Sequence, residues 1–261
     1  MECKGEVPLV VESHGTFDRP FHMQEMTITN RIKRYFHNKA LSKVDRIVAL
    51  THGDADQWRS INPNVSVIPN IVTMNETDDF SDCENKRVIF VGRLDSQKGF
   101  QYLSAIWEIV EKRHPDWCLD IYGEGADLQE NRNMIPQGKH IFPHGQTLDI
   151  LDKYKESSIL ILTSIYEPFG LVMPEAMSCG IPVVAFDCPY GPSEIISDGK
   201  DGFLIDCYDV EAFADKLCML IENEVIRKQM GMNAIQSALR FKKGKIMPQW
   251  NNLFESLVVK S

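Results

Sequence analysis

One segment combines a short apolar run, a turn and the start of a helix: Ile159-Leu-Ile-Leu-Thr163-Ser164-Ile-Tyr-Glu167-Pro168-Phe169-Gly170-Leu171-Val-Met-Pro174-Glu175-Ala-Met-Ser-Cys-Gly180. Pro168 keeps Glu167 out of a helix interior, because the residue before a proline is biased towards extended backbone. Pro174 suits the first turn of a helix. The segment therefore predicts a strand, a loop that contains Glu167, and a helix that begins just before Glu175.

The same segment places two carboxylates eight positions apart, one in the loop and one in the first helical turn. Loop carboxylates can bind sugar hydroxyls, and free amides at a helix start, here around Phe169, Gly170 and Leu171, can bind phosphate. The alternative is that Glu175 only complements the helix dipole. We interpret the spacing as a binding motif.

On both sides of this segment, short apolar runs alternate with helical stretches. Strands are predicted at 88–91, 119–122, 141–142, 159–163, 182–186 and 202–205. Helices are predicted near 99–113, 126–134, 147–156, 171–179, 192–197 and 209–223. This alternation predicts an α/β fold whose parallel sheet carries helices on both faces. Ligands of such sheets bind at the carboxyl ends of the strands, so the loops there are the place to look for function.

The region before this sheet has the same character but begins abruptly. It contains predicted strands at 7–11, 45–50 and 65–68, a basic helix-like stretch and a helix from Asp54, and a polar linker at 74–86 follows it. Three strands of about five residues are too few for a stable α/β layer. We interpret the region as the end of a domain whose beginning is absent.

Two further strand-end loops contain groups suited to an anion. Gly92-Arg93-Leu-Asp-Ser-Gln-Lys98-Gly99 places two cations between a predicted strand and the helix that follows, which suits a diphosphate. The alternative is two solvated cations at a helix start. Tyr122-Gly123-Glu124-Gly125 is a glycine-rich turn after the next predicted strand. It gains weight because it belongs to the same edge of the sheet.

Composition excludes several classes of protein. The chain has 261 residues, 43% of them hydrophobic and 25% charged, which is typical of globular proteins and not of disordered ones. The net charge of −9 argues against a nucleic-acid binder, which needs a basic surface. No apolar stretch approaches the roughly 18 residues of a membrane span.

Compartment and metal content are predicted from cysteines and from the first residues. The seven cysteines are odd in number and form no CxxC pair, so neither a disulfide framework nor a zinc site is expected. The first residues show no charged segment followed by an apolar one, so no signal peptide is expected. We therefore expect a cytoplasmic protein, either free or held peripherally on the inner face of the membrane.

Together these motifs make residues 87–240 resemble the donor-binding half of a family 4 retaining glycosyltransferase of the GT-B fold. A further stretch, Pro189-Tyr-Gly-Pro-Ser-Glu194-Ile-Ile-Ser-Asp-Gly-Lys-Asp-Gly202, resembles bacterial enzymes that build capsule, exopolysaccharide or lipopolysaccharide. The resemblance implies a complete C-terminal Rossmann-like domain at 75–243 and a partial N-terminal, acceptor-side domain at 1–74. It also implies a final helix at 244–261 that crosses back to the N-terminal region.

The resemblance also implies a role for individual residues. Arg93 and Lys98 would hold the nucleotide diphosphate, with Gly123 and Gly125 in the adjoining turn. Glu175 would bind the ribose, and Glu167 would face the donor sugar. The backbone of Phe169, Gly170 and Leu171 would contact phosphate and sugar. The donor would be a UDP- or GDP-hexose, the acceptor a glycan or lipid-linked sugar, and no metal or cofactor would be needed.

The N-terminal region departs from the family. Glu12-Ser-His14-Gly15 resembles the histidine at a strand end that faces the cleft, so His14 would contact donor or acceptor; the alternative is a hydrogen-bonded turn histidine. About a hundred residues of an ordinary domain are missing, judged by domain size. The alternative function is therefore a non-catalytic donor-binding half that needs a partner polypeptide to supply the missing region.

Other candidates remain beside the main motif. Asp54-Ala-Asp56 matches the metal motif of GT-A glycosyltransferases, although we expect Asp54 to be a helix N-cap. The basic stretch 31–43 suits either an interfacial helix on anionic lipid or an ordinary solvated face. His144 follows a predicted strand and is either a cleft residue or a turn residue. A helix at 247–257 carries an apolar side with Trp250, Phe254 and Leu257, part of which is expected to be exposed.

Overall fold

The computed structural model describes residues 7–15, 17, 28–125 and 140–258. The chain forms two compact units. Unit 1 consists of Met1–Ile71 and Lys243–Ser261, and unit 2 of Val72–Lys242. The predicted linker at 74–86 contains neither helix nor strand, and hydrogen bonds tie it to unit 2: the amide of Asn75 donates to Ser178 Oγ over 3.0 Å.

Unit 1 contains a three-stranded parallel sheet in the order β1-β2-β3. Its strands are β1 (Val10–Ser13), β2 (Arg46–Ala49) and β3 (Val65–Val67). Its first two described helices are α1 (Ile28–Leu41) and α2 (His52–Trp58). Successive residues of β2 point to opposite faces. Ile47 and Ala49 therefore pack with Trp58, whereas Val48 packs on the other side with Ile68.

Unit 2 contains the predicted parallel sheet. Its strands are β4 (Arg87–Val91), β5 (Cys118–Tyr122), β6 (Ile141–Gly145), β7 (Ile159–Leu162), β8 (Val183–Phe186) and β9 (Gly202–Ile205). Its described helices are α3 (Phe100–Arg113), α4 (Ile150–Lys155), α5 (Val172–Ser178), α6 (Gly191–Ile195), α7 (Val210–Glu222) and α8 (Glu224–Ala238). The predicted helix at 126–134 lies outside the described residues.

The strand order of this sheet is β6-β5-β4-β7-β8-β9, and each described pair is parallel. The chain moves outward from β4 to β6 and then returns to place β7 beside β4. The crevice outside the carboxyl ends of the two strands at such a reversal is where ligands of this fold class bind. The β4 and β7 loops should therefore form the site.

The core of unit 2 lies between the sheet, α3 and α7. Phe90 and Trp107 are fully buried there, together with Phe186 and Phe213. Removing this much aromatic and aliphatic surface from water is the main term that stabilises the unit. The loops at the strand ends are therefore attached to a well-packed sheet.

Helix α8 was not predicted. Its apolar residues are distributed around the helix instead of along one face, since Val225 and Met232 are exposed while Met230 and Ala234 are buried. A helix without a segregated apolar face gives no periodic signal. Its start is capped by Asn223, whose side chain accepts a hydrogen bond from the amide of Ile226.

The last described helix, α9 (Lys243–Val258), belongs to unit 1. It buries Ile246, Leu253 and Leu257 against Val48 and Ile68. Phe254, predicted on the same side as Leu257, is 49% exposed.

None of the helices in the described part of the chain is both long enough and apolar enough to cross a membrane.

Candidate functional site

An ion pair joins the two loops at the reversal of the sheet. Lys98 Nζ lies 2.5 Å from Glu167 Oε2, and Ser164 Oγ donates to the same oxygen over 3.1 Å. Only 13% of the Lys98 side chain and 8% of the Glu167 side chain are exposed. Charges that are this buried need a partner, because losing hydration costs several kcal/mol per ion. The pair fixes a cation and a carboxylate side by side in the predicted ligand crevice.

The backbone holds Lys98 in this position. It ends a short 3₁₀ turn, Ser96–Lys98, whose N-cap Asp95 accepts a hydrogen bond from the Lys98 amide. Thr163 Oγ1 donates to the Lys98 carbonyl over 2.9 Å, which ties the β4 loop to the end of β7. Gly99 makes this approach possible, because a Cβ there would lie 1.8 Å from the Thr163 carbonyl oxygen.

Arg93 lies in the same loop but is directed to solvent. More than half of its side chain is exposed, and its guanidinium contacts Asp95 Oδ2 at 2.9 Å and Gln97 Oε1 at 2.8 Å. The structure therefore does not place Arg93 on the Lys98–Glu167 pair. Because the guanidinium itself is exposed, its pairing with the half-buried Asp95 and Gln97 is worth little, so Arg93 can move to a ligand at little cost.

The glycine turn after β5 packs against the loop after β4. Gly123 has φ +140°, and a Cβ there would lie 1.9 Å from the Gly92 carbonyl oxygen. The amide of Leu94 donates to the Glu124 carbonyl over 3.2 Å. Gly125 is the last described residue before the gap at 126–139. Gly123 is thus brought to the site by close backbone packing.

The loop after β7 is fixed on its other side by the loop after β8. The amide of Glu167 donates to the Pro189 carbonyl, and the Glu167 carbonyl accepts from the amides of Tyr190 and Gly191. Gly170 has φ +88°. Phe169 turns its ring into the core against Phe241, at 5.3 Å between centroids, so its backbone alone faces the loop.

The start of α5 follows directly. The amides of Met173 and Glu175 donate to the carbonyls of Gly170 and Leu171 and so begin the helical pattern. Amides that precede the first such bonds have no partner within the helix. The predicted order of loop, helix start and first-turn carboxylate is therefore present.

Glu175 is paired with a residue that the sequence did not single out. The hydroxyl of Tyr154, a fully buried side chain in α4, donates to Glu175 Oε2 over 3.4 Å. Burial raises the pKa of Glu175 to about 7, although the Tyr154 hydrogen bond opposes the rise. A carboxylate that served only the helix dipole would gain by staying ionised. The raised pKa of this half-buried carboxyl therefore argues against a role limited to the helix dipole.

Asp54 does not cap α2, so that prediction was wrong. The N-cap is Thr51, whose side chain accepts from the Asp54 amide. Asp54 is buried in the first turn, where Oδ2 accepts from Trp58 Nε1 over 2.9 Å and Oδ1 from the Phe17 amide over 2.7 Å. Asp56 pairs with Arg59 at the surface. Asp54 and Asp56 therefore do not converge as metal ligands, and no metal-binding group of three occurs among the described residues.

His14 lies in unit 1, after β1. Its Nε2 is 3.3 Å from Glu12 Oε2, and its side chain is 64% exposed. This contact is local to its own strand end. The predicted contact of His14 with donor or acceptor stays a prediction.

His144, interpreted from the sequence as either a cleft residue or a turn residue, lies in β6 and lines a polar cleft whose other residues the sequence did not single out. Its Nε2 is 2.7 Å from Asp120 Oδ1, its ring stacks on Tyr122 at 4.6 Å, and Arg87 contacts Asp120 Oδ2 at 2.6 Å. The cleft has a volume of about 560 Å³, and Lys153 of α4 also lines it. The signal in the sequence was Asp120, a buried aspartate inside the strand Leu119-Asp120-Ile121.

Comparison with known proteins gives one family and several relatives. The family model described as glycosyl transferases group 1 matches residues 76–237. The amylovoran biosynthesis glycosyltransferase AmsD of Erwinia amylovora is 33% identical over 221 residues, which are 80% of this chain and 62% of that protein. The poly(ribitol-phosphate) alpha-N-acetylglucosaminyltransferase of Staphylococcus aureus is 29% identical over 252 residues, covering 94% of this chain and 50% of that protein.

A solved structure agrees with these relatives. A mutant of S. aureus TarM, in complex with fondaparinux, alpha-GlcNAc-glycerol and UDP, matches with a TM-score of 0.78 and 28% identity. The match covers 88% of this chain and 48% of that one. The chain thus spans about half of two of these relatives and 62% of the third.

Proposed function

The chain belongs to the group 1 glycosyl transferases, and from that premise we propose that it is a retaining hexosyltransferase of cell-surface polymer synthesis. The fold is the predicted GT-B type, as in TarM. The donor is a nucleoside-diphosphate hexose, and the acceptor is a glycan or a lipid-linked sugar. The names of AmsD and of the poly(ribitol-phosphate) enzyme support polymer synthesis.

The observation that carries the proposal is the buried Lys98–Glu167 pair in the loops after β4 and β7, where the strand order predicts the ligand crevice. A diphosphate entering that crevice competes with Glu167 for the Lys98 ammonium. Arg93, which is exposed on the same loop, would turn to the phosphates as a second cation. In this proposal the negative charge of the leaving diphosphate is met by Lys98, Arg93 and the amides near Gly170, and no metal is assigned.

Glu167, once released from Lys98, would accept hydrogen bonds from hydroxyls of the donor sugar. Glu175 would hold the ribose. The acceptor oxygen would attack the anomeric carbon from the face that the diphosphate leaves, and the departing phosphate oxygen would take the acceptor proton. The protein would contribute mainly positioning and stabilisation of charge.

The nucleotide is proposed to be uridine diphosphate. The support is the TarM structure, whose bound ligands include UDP. A GDP-sugar is the alternative that the described residues leave open.

Calorimetric titration of the purified chain with UDP, GDP and their hexose conjugates, with EDTA present, tests donor binding. Lys98→Ala should lower the affinity for the diphosphate roughly 10- to 100-fold, the range for a lost charge-assisted contact. Lys112→Ala is the matched control, because Lys112 is an exposed lysine of α3 that pairs with Glu108. Equal affinities for the two variants would contradict the assigned role of Lys98.

Turnover separates this function from the alternative of a donor-binding half that needs a partner chain. Release of UDP from a UDP-hexose in the presence of a lipid-linked acceptor would show that this chain is catalytically sufficient. Donor binding without release would favour the alternative. That alternative draws its support from the share of its relatives that the chain spans.

A second proposal concerns α1: we propose that it contacts the inner face of an anionic membrane. Its four cations stand in a helix without Asp or Glu, while the whole chain carries −9. Ile32, Tyr35 and Phe36 lie on one helical face and are each more than half exposed. Lys39 continues that face, with its ammonium 5.8 Å from the Tyr35 ring. Exposed aromatics among cations suit the headgroup region of a bilayer.

Sedimentation with vesicles tests this contact. The chain should bind vesicles rich in phosphatidylglycerol at low salt, bind less at high salt, and not bind phosphatidylcholine vesicles. Replacing Tyr35 and Phe36 by Ser should abolish binding. Replacing the exposed Val225 and Met232 of α8 by Ser is the control and should not. Equal binding to both kinds of vesicle would contradict the proposal.

A further inference from the structure

Tyr154 is a polar side chain inside the core of unit 2. It lies in α4, none of its side chain is exposed, and its hydroxyl is within hydrogen-bonding distance of Glu175 Oε2, 3.4 Å away. A buried tyrosine hydroxyl requires a partner, because leaving it unpaired costs the desolvation of the group. Glu175 is the partner that the structure supplies.

The contact joins two short helices on either side of β7. In sequence, α4 precedes that strand and α5 follows it. The helices have only six and seven residues, so their relative position depends on contacts between their side chains. A second contact runs in parallel, from Cys179 Sγ to the Leu151 carbonyl at 3.6 Å. The two contacts tie the first turn of α5, which carries Glu175, and the residue after its last turn to α4.

The protonation of the two groups suits a donor and an acceptor. Burial raises the pKa of Tyr154 well above its ordinary value, so the phenol stays protonated at neutral pH. Glu175 then has Oε2 engaged by the phenol, and among the described residues no partner of Oε1 is found.

We propose that Tyr154 is a positioning residue for ribose recognition: its hydroxyl holds Glu175 Oε2 so that Oε1 is presented to a ribose hydroxyl of the donor. This inference rests on the proposed ribose role of Glu175. Under this proposal Tyr154 contributes to binding of the ribose of the nucleotide. It does not contribute to binding of the phosphates, which Lys98 and Arg93 would hold.

Tyr154→Phe removes the hydroxyl and keeps the ring that packs the core. Its affinity for UDP, measured by calorimetry at pH 7.5, should fall roughly three- to tenfold, the range for one lost hydrogen bond. Its affinity for 2′,3′-dideoxy-UDP should equal that of the unaltered chain, because that ligand offers no hydroxyl. Tyr208→Phe, in an exposed tyrosine of the same unit, is the matched control and should change neither affinity.

A tyrosine that only stabilised the fold would lower both affinities together, so an equal loss with the two ligands would overturn the inference. No loss with either ligand would overturn it as well. Glu175→Gln separates this failure from failure of the proposed function. If Glu175→Gln weakens UDP binding and Tyr154→Phe does not, the positioning role alone is wrong. If Glu175→Gln leaves UDP binding unchanged, the ribose role and the positioning role are both wrong.

Discussion

Gly99 joins the loops after β4 and β7 through a contact that a side chain would block. Its φ is +63°, and a Cβ would lie 1.8 Å from the Thr163 carbonyl oxygen. Gly99→Ala should therefore lower the free energy of unfolding by about 3 kcal/mol or more, through left-handed strain plus displacement of the loop. Chemical denaturation measures the loss, and donor affinity should fall with it because Lys98 is the preceding residue.

Gly199 offers a matched control for this prediction. Its φ is +71°, but no atom lies within 4 Å of a Cβ built there. Gly199→Ala should cost only the backbone strain, about 1–2 kcal/mol. Equal losses of stability at the two positions would show that the close contact of Gly99 with Thr163 adds nothing to the cost of the substitution.

Glu175 should make stability depend on pH. Its pKa is raised from 4.5 to about 7 by burial, so the folded chain keeps a proton that the unfolded chain releases above pH 4.5. The raised pKa of Glu175 therefore lowers the free energy of unfolding by nothing below pH 4.5 and by a growing amount as the pH rises to 7. Above pH 7 this loss of stability stays constant. Glu175→Gln should be more stable than the unaltered chain at pH 8, by up to about 3.4 kcal/mol, because the rise of the pKa from 4.5 to about 7 is worth about 1.36 kcal/mol per pH unit.

Urea denaturation of both chains at pH 5 and pH 8 checks this. The difference between the chains should be small at pH 5 and largest at pH 8. A difference independent of pH would mean that Glu175 is solvated in the folded chain. A variant that is more stable yet binds UDP less well would show that a functional carboxyl is kept at a cost in stability.

Sequence could single out candidate site residues but not all of their contacts in the fold. Lys98, Glu167 and Glu175 were singled out by the spacing and by the family resemblance, whereas the Lys98–Glu167 contact spans 69 positions and needs the order of the strands to be known. Tyr154 carried no signal, because a tyrosine on the apolar side of a helix is usually core. Its partner is visible only when α4 and α5 are placed.

At the scale of the element, two polar residues at the start of α2 have different roles. Thr51 caps the helix, and Asp54 accepts from Trp58 and from the Phe17 amide inside unit 1. Thr51→Ala should cost about 1 kcal/mol. Asp54→Ala should cost more, about 2–4 kcal/mol, because two buried donors lose their acceptor. Thermal unfolding of both variants measures the two losses of stability, and a larger loss for Thr51→Ala than for Asp54→Ala would contradict this prediction.

The helices differ in how well sequence predicted them. Helix α3 has its apolar residues on one face and was predicted to within a residue, whereas α8 has apolar residues on all sides and was missed. The close approach of α8 to the turn after α5 depends on Gly231, where a Cβ would lie 2.1 Å from the Gly180 carbonyl oxygen. Packing of this kind is set by the tertiary structure and leaves no local pattern.

At the scale of the whole chain, alternation predicted a parallel sheet, and the sheet is present in unit 2. The order β6-β5-β4-β7-β8-β9 was not predictable from alternation alone, because each crossover can place the next strand on either side. That order brings the β4 and β7 loops together. The site thus depends on a property of the whole unit that no single segment encodes.

Unit 1 is built from two segments of the chain, and this leads to a prediction for its stability. Its two segments are far apart in sequence, and α9 covers the face of β2 that carries Val48. Replacing Leu253 and Leu257 by Ala should cost about 2–5 kcal/mol at each position and should loosen unit 1 first. Unit 2 has its own core of strands, α3 and α7, so its stability should change little.

Hydrogen exchange followed by mass spectrometry resolves the two units in one experiment. In the Leu253→Ala, Leu257→Ala chain, peptides from β2 and β3 should exchange faster, while peptides from β4 and β5 should keep their protection. Glu255→Ala, on the exposed side of the same helix, is the control and should alter neither. If protection fell equally in both sheets, the two units would unfold together, and α9 would stabilise the sheet of unit 2 as well as that of unit 1.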